Sequence, residues 1–138
     1  MIAVICIDDA YGMQFNGRRQ SRDRVLLEDL MQMVGADQKL WIAPCSASLF
    51  KNYEDRICVD ENFLTAAESG AYCFVEDRGI EAHLANLEGI VLYRWNRDYP
   101  ADLRLDFRPD AQGWNLCAVT EFVGSSHEKI TKEEYRAT

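Results

Sequence analysis

Histidine is scarce in this chain. Only His83 and His127 occur, and neither stands in an HxH or HxxxH spacing, which excludes a dense histidine and carboxylate centre for a pair of zinc ions. The five cysteines, Cys6, Cys45, Cys58, Cys73 and Cys117, are odd in number, widely spaced and without a CxxC pair. They exclude a structural zinc site and read as reduced thiols set in apolar runs. No stretch approaches the length needed to span a bilayer. Met1–Ile7 is too short for a signal peptide, lacks a cationic flank and runs straight into Asp8-Asp9. Repeats, low-complexity tracts and linkers are missing as well. A cytoplasmic protein with no membrane partner and no bound metal is expected.

Positive charge is also in short supply. The 138 residues carry a formal charge of -8 with a pI near 4.7, which weakens any expectation of long-range attraction to nucleic acid, a partner usually met by a basic face. Residues 18 to 24 invert this locally. Arg18, Arg19, Arg22 and Arg24, four of eleven arginines, stand against Asp23 alone. A basic island in an acidic protein suits a small anion better than a polymer, although the same arginines could simply pair with surrounding carboxylates.

At this length one domain is expected, burying roughly two thirds of its unfolded surface. Ile2–Ile7 is a continuous apolar run rich in β-branched residues, the pattern of a strand buried on both faces. After the charged loop, Ser21 is a candidate helix cap. Leu26, Leu27, Leu30, Met31, Met33 and Val34 then recur at helical spacing until Gly35. Leu40–Ala43 is a second buried strand, and Ser46 or Ser48 starts a short helix through Phe50 and Tyr53. Ile57–Val59, Ala71–Val75 and Gly89–Tyr93 read as further strands, alternating with helices over Asn62–Ala67 and Ile80–Leu87, which implies an α/β sheet. Beyond Pro100, Asp102–Phe107 alternates like an edge strand with one wet face. Trp114–Phe122 and Lys129–Tyr135 flank Gly124-Ser125-Ser126-His127 as an antiparallel hairpin.

This order of elements resembles the dihydrofolate reductase fold. Ile2–Ile7 followed by Gly12-Met13 and Asn16 is similar to that family's first strand and mobile substrate loop, and Asp23 falls close to the acidic residue on its first helix. The resemblance implies an α/β, single-domain dihydrofolate reductase-like mixed sheet over residues 1–138, with flanking helices and a C-terminal antiparallel hairpin. Two stretches depart from it. Where the family uses a glycine pair to receive its nicotinamide cofactor, this chain has Glu76-Asp77-Arg78-Gly79, and two carboxylates there repel a diphosphate. Where the family offers Gly-Arg and a helix-starting Thr, this chain has Ala43-Pro44-Cys45-Ser46. The resemblance therefore implies the fold without the cofactor, and no cofactor is expected. Residues 16–24, 93–100 and 124–131 also resemble small bacterial proteins that carry a ribonuclease Z label, an activity that needs the metal cluster this chain lacks.

The candidate ligand contacts are Arg18, Arg19 and Arg22 with Asn16 on the loop after the first strand, and Arg94, Trp95 and Arg97 at the end of a buried strand. Guanidinium forks grip phosphate or carboxylate, and free N–H groups at a helix start add to them. Trp95 or Tyr99 could stack on a planar ligand, or pack into the hairpin. Asp23 is the one candidate catalytic group, as a proton relay. Neighbouring arginines and a helix N-terminus would hold it ionised, which makes it a poor donor near neutrality and favours a capping role. Ser125, Ser126 and His127 read as a hairpin turn, because adjacent Ser and His seldom present Oγ to Nε2 and no Gly-x-Ser-x-Gly elbow is present. His83 reads as a surface or boundary histidine. Asp8-Asp9 is a weak cation site or a partner for the arginines. The expected function is binding of a small anionic or nucleotide-like ligand. An NADPH-dependent reductase of a pterin-like heterocycle and an RNA-binding or ribonuclease-type protein are the alternatives. The sequence does not fix the oligomeric state.

Overall fold

The first strand, β1 (Ile2–Ile7), sends alternate side chains to two separate cores. Ala3, Ile5 and Ile7 enter one and Val4 the other, all fully buried. A strand apolar on both faces must lie inside a sheet, and in the computed structural model, which describes residues 1–138, β1 is its middle strand. The remaining elements follow in chain order. A hairpin of β2 (Gly12–Phe15) and β3 (Arg18–Arg19) leads to helix α1 (Arg24–Val34) and strand β4 (Leu40–Ile42). A kinked 3₁₀ segment over Pro44–Arg56 precedes β5 (Ile57–Val59), α2 (Phe63–Ala66) and β6 (Tyr72–Phe74). A second 3₁₀ segment over Glu81–Asn86 leads to β7 (Gly89–Arg94), β8 (Leu103–Arg104), β9 (Asn115–Phe122) and β10 (Ile130–Arg136).

Seven strands form one sheet in the order β5-β4-β6-β1-β7-β10-β9. The first five run parallel, and β10 pairs antiparallel with both β7 and β9. One face is covered by α1 and the 44–56 segment through Leu26, Leu30, Val34 and Phe50. The other is covered by α2, the 81–86 region and the loop after β1, through Phe63, Leu64, Leu87, Tyr11 and Met13. The alternating stretch around residue 103 is not an edge of this sheet. Only Leu103–Arg104 is extended, and it joins β2 and β3 in a separate three-stranded sheet.

The loop after β1 is more ordered than its charge implies. Asn16 (φ 55°) and Gly17 (φ 73°) make a two-residue turn with consecutive positive φ angles, and Phe15 pairs with Arg18 across it. This is the geometry that Asn-Gly favours between twisted strands. Buried Asp8 braces the base of the loop, its Oδ1 accepting from the N–H groups of Ala10 and Gly12 at 2.9 and 2.7 Å. Helix α1 is capped two residues later than its sequence suggests. Ser21 lies outside it and Asp23 is the N-cap, accepting from the N–H groups of Val25 and Leu26. The helices expected from Ser46 or Ser48 through Tyr53 and over Ile80–Leu87 are 3₁₀ segments, Pro44–Arg56, broken at Phe50 and Tyr53, and Glu81–Asn86.

Candidate functional site

Parallel α/β sheets gather ligands beyond the carboxyl ends of their strands, and here those ends open onto a cleft with a deep, narrow floor. The floor, about 20 Å³, is lined by Cys6 from β1, Phe74 from β6, Trp95 after β7, Leu26 and Leu27 of α1, Met13 and Leu49. The mouth, about 440 Å³, is lined by Gln14, Gly17, Arg18, Cys45 and Ser48. Arg19, Ser21, Arg22 and Glu76 border both.

The four clustered arginines do different things. Arg19 grips Glu76 with two parallel contacts, Nε to Oε1 and Nη2 to Oε2, both 2.9 Å. Ser46 Oγ donates to the same carboxylate at 2.6 Å, so the charge of buried Glu76 is matched within the protein. Arg24 pairs with Glu28 one turn along α1 at 2.7 Å and faces solvent. Arg18 and Arg22 have no acidic partner, and both line the cleft. Of the other predicted contacts, Trp95 is on the cleft floor and the rest lie apart. Arg94 is held by Glu133 at 2.8 Å and by the Tyr11 hydroxyl at 3.0 Å. Arg97 is exposed on the loop after β7, and Asn16 is at the hairpin tip with its N–H on Asp102. Neither borders the cleft.

Asp23 is buried, and no arginine side chain bonds to it. Oδ1 accepts from the Ser125 N–H at 2.9 Å as well as from the helix, and Oδ2 from the Ser126 N–H at 2.8 Å and from His127 Nδ1 at 2.9 Å. Burial pushes its pKa up, but the hydrogen bonds from His127, Ser126, Ser125 and Leu26 outweigh that and hold it far below the usual carboxylate range. An ionised carboxylate on Nδ1 fixes the proton there and leaves the Nε2 lone pair free to accept. Two hydroxyls face that nitrogen, Ser21 Oγ and Tyr99 Oη, each at 3.1 Å. Trp95 stacks on the imidazole at 4.4 Å with 24° between the planes, so the ring cannot turn freely.

The turn at 124–127 therefore does more than reverse the chain. It brings His127, 104 residues from Asp23, into a buried network, with Ser125 Oγ accepting from the Arg24 N–H at 3.0 Å and Ser126 Oγ donating to the Arg22 carbonyl at 3.2 Å. Sequence reasoning placed Asp23 and Trp95 near the site but missed Ser21 as a partner, along with His127, Tyr99 and Glu76. No spacing rule links these residues, because four separate connections bring them together.

No family model matches the chain, and no curated protein matches it. Among solved structures it is similar to a dihydrofolate reductase from Enterococcus faecalis complexed with NADP(H) and RAB-propyl. That match has a TM-score of 0.66 at 10% identity and covers 98% of this chain and 94% of the other. The fold is that of dihydrofolate reductase, with the parallel core and the C-terminal antiparallel hairpin that the order of elements implies.

Proposed function

We propose that this dihydrofolate reductase-like domain binds a small anionic molecule in the cleft beside the β2–β3 hairpin and has no working nicotinamide site. One observation carries the reading: Arg18 and Arg22, two guanidinium groups without acidic partners, border one cleft in a chain of net charge -8. Elsewhere the basic side chains nearest this region are occupied, Arg19 by Glu76 and Arg24 by Glu28. Unpaired guanidinium groups at a concave site gain most from a ligand oxyanion.

The similar reductase is described with NADP(H), and the residues of this chain do not fit that group. The segment after β6 carries Glu76, buried and pinned by Arg19 and Ser46, and Asp77, paired with Arg78 at 2.8 Å. A Cβ on Gly79, the one glycine there, would run into the Asp106 carboxylate, whose oxygens accept from the Ile80 and Glu81 N–H groups. A diphosphate approaching this edge meets carboxylates instead of open backbone donors.

The test is a titration with inorganic phosphate followed by thermal shift and calorimetry. Wild type gains melting temperature with phosphate. The Arg18→Ala, Arg22→Ala double variant loses at least tenfold in affinity, while its own stability changes by no more than about 0.5 kcal/mol, as for exposed side chains without partners. Unchanged affinity in the double variant overturns the assignment. A parallel NADPH titration leaves the tryptophan fluorescence unquenched, and saturable quenching with Trp95 on the cleft floor would restore the reductase reading.

A further inference from the structure

Holding an anion does not require the relay on the cleft floor. Ser21 Oγ, His127 Nε2, His127 Nδ1 and Asp23 Oδ2 form an unbroken line with separations of 3.1 Å and 2.9 Å. A nucleophile within reach of a base, and that base oriented by a buried acid, is the arrangement that activates a hydroxyl. We propose that Ser21 is an acyl-accepting nucleophile, with His127 as its general base and Asp23 as the positioning residue, and that the chain hydrolyses short-chain esters of small anionic alcohols. The inference rests on the anion-binding reading of the same cleft.

The residues around Ser21 meet the remaining requirements. Ser21 borders both the floor and the mouth, Asp23 is buried at the edge of the floor, and His127 is buried behind them and lines neither part. The main-chain N–H of Arg22, the residue after Ser21, has no partner within the protein, and its proposed role is to meet the developing oxyanion, the part that the residue after the nucleophile takes in strand-to-helix elbows. The floor, at about 20 Å³, has room for little more than a methyl group, which limits the acyl portion to about the size of acetyl. The larger mouth takes the alcohol, with its anionic group on Arg18 and Arg22.

In the first step Ser21 Oγ bonds to the acyl carbon as its proton passes to His127 Nε2. The ester C–O bond then breaks, and the departing alkoxide takes that proton from Nε2. Water attacks the acyl-serine with Nε2 as base, the acyl C–Oγ bond breaks, and the proton returns to Ser21. One ester and one water give one acid and one alcohol, with no redox partner. Asp23 stays ionised throughout and keeps the Nδ1 proton in place. The Tyr99 hydroxyl competes with Ser21 for the same lone pair, so removing it frees Nε2 for Ser21.

The test uses the full chain with 4-nitrophenyl acetate, reading nitrophenolate release and locating the acetyl group by peptide mass spectrometry. Wild type releases nitrophenolate with an initial burst and carries acetyl on Ser21. Ser21→Ala, shown folded by circular dichroism, loses at least 100-fold in release and is not acetylated at that peptide, while Ser21→Cys keeps the burst. Tyr99→Phe acetylates at least as fast as wild type. A loss in Tyr99→Phe as deep as in Ser21→Ala would transfer the role to the phenol and overturn the proposal. So would wild-type release by Ser21→Ala. Phosphate binding that persists without acetylation of Ser21 refutes the relay and leaves the anion site standing. Acetylation that phosphate cannot inhibit refutes the anionic substrate class instead.

Discussion

Asp23 holds two parts of the molecule with one carboxylate: Oδ1 caps α1 and Oδ2 secures His127 and Ser126. Its side chain is fully buried, so replacing the charge with an amide leaves N–H donors facing a weaker acceptor and an NH₂ group. Weakening an acceptor that satisfies several buried donors costs about 1–3 kcal/mol, and Asp23→Asn should lose stability at the upper end of that range in urea denaturation at pH 7. The pH dependence has a definite sign. The folded pKa lies below the ordinary value of 3.8, so the stabilisation is present in full above that value and is lost as pH falls from there through the folded pKa. The gap between wild type and Asp23→Asn should therefore narrow steadily below pH 3.8, and a gap independent of pH would show that the carboxylate is not the source. The capping role was readable from the sequence, because an acidic residue beside a helical apolar pattern is a cap signal. Its exact place was not, since Ser21 satisfies the same rule two positions earlier and is committed to His127 instead.

Between elements, the segment joining β9 to β10 controls the start of α1. Gly124 lies against Asp23 and Ile130, and its N–H donates to the His127 carbonyl at 2.9 Å. A Cβ added there meets the Asp23 carboxylate, which cannot move without releasing four main-chain donors. Gly124→Ala should consequently destabilise by about 1–3 kcal/mol, the usual cost of overpacking. It should also speed amide exchange at Ser125 and Ser126 in NMR, whereas slow exchange there would mean the loop had absorbed the methyl group. The sheet itself was readable by pattern. β1, β4, β6 and β7 are buried apolar runs, and the alternation of strands with helical segments fixed their parallel pairing. The hairpin of β2 and β3 carried a usable signal in Asn16-Gly17, masked by the run of arginines that follows it. The joining of Asp23 to His127 had none, because hydrophobic period reports which face a residue takes and says nothing about which distant turn will meet it.

At the scale of the whole molecule, the net charge of -8 bears on which anions would suit the proposed site. Two unpaired guanidinium groups supply a local attraction, and the remainder of the chain repels anything long enough to reach past them, since exposed charges are felt over about 8–10 Å at physiological salt. A small dianion sees chiefly Arg18 and Arg22. A single strand of RNA sees those two and then an acidic surface. If two backbone phosphates were neutralised, raising salt from 50 to 200 mM would weaken RNA binding by about sevenfold, a shallow dependence set by the small number of contacts. Starting from so few favourable contacts, binding of a fluorescent single-stranded RNA should be undetectable by anisotropy at 150 mM salt and micromolar protein, under conditions where phosphate still raises the melting temperature. Tight, steeply salt-dependent RNA binding would require a basic face larger than Arg18 and Arg22 provide. It would move the functional surface away from the cleft, toward arginines such as Arg97, Arg104 and Arg108, which do not border it.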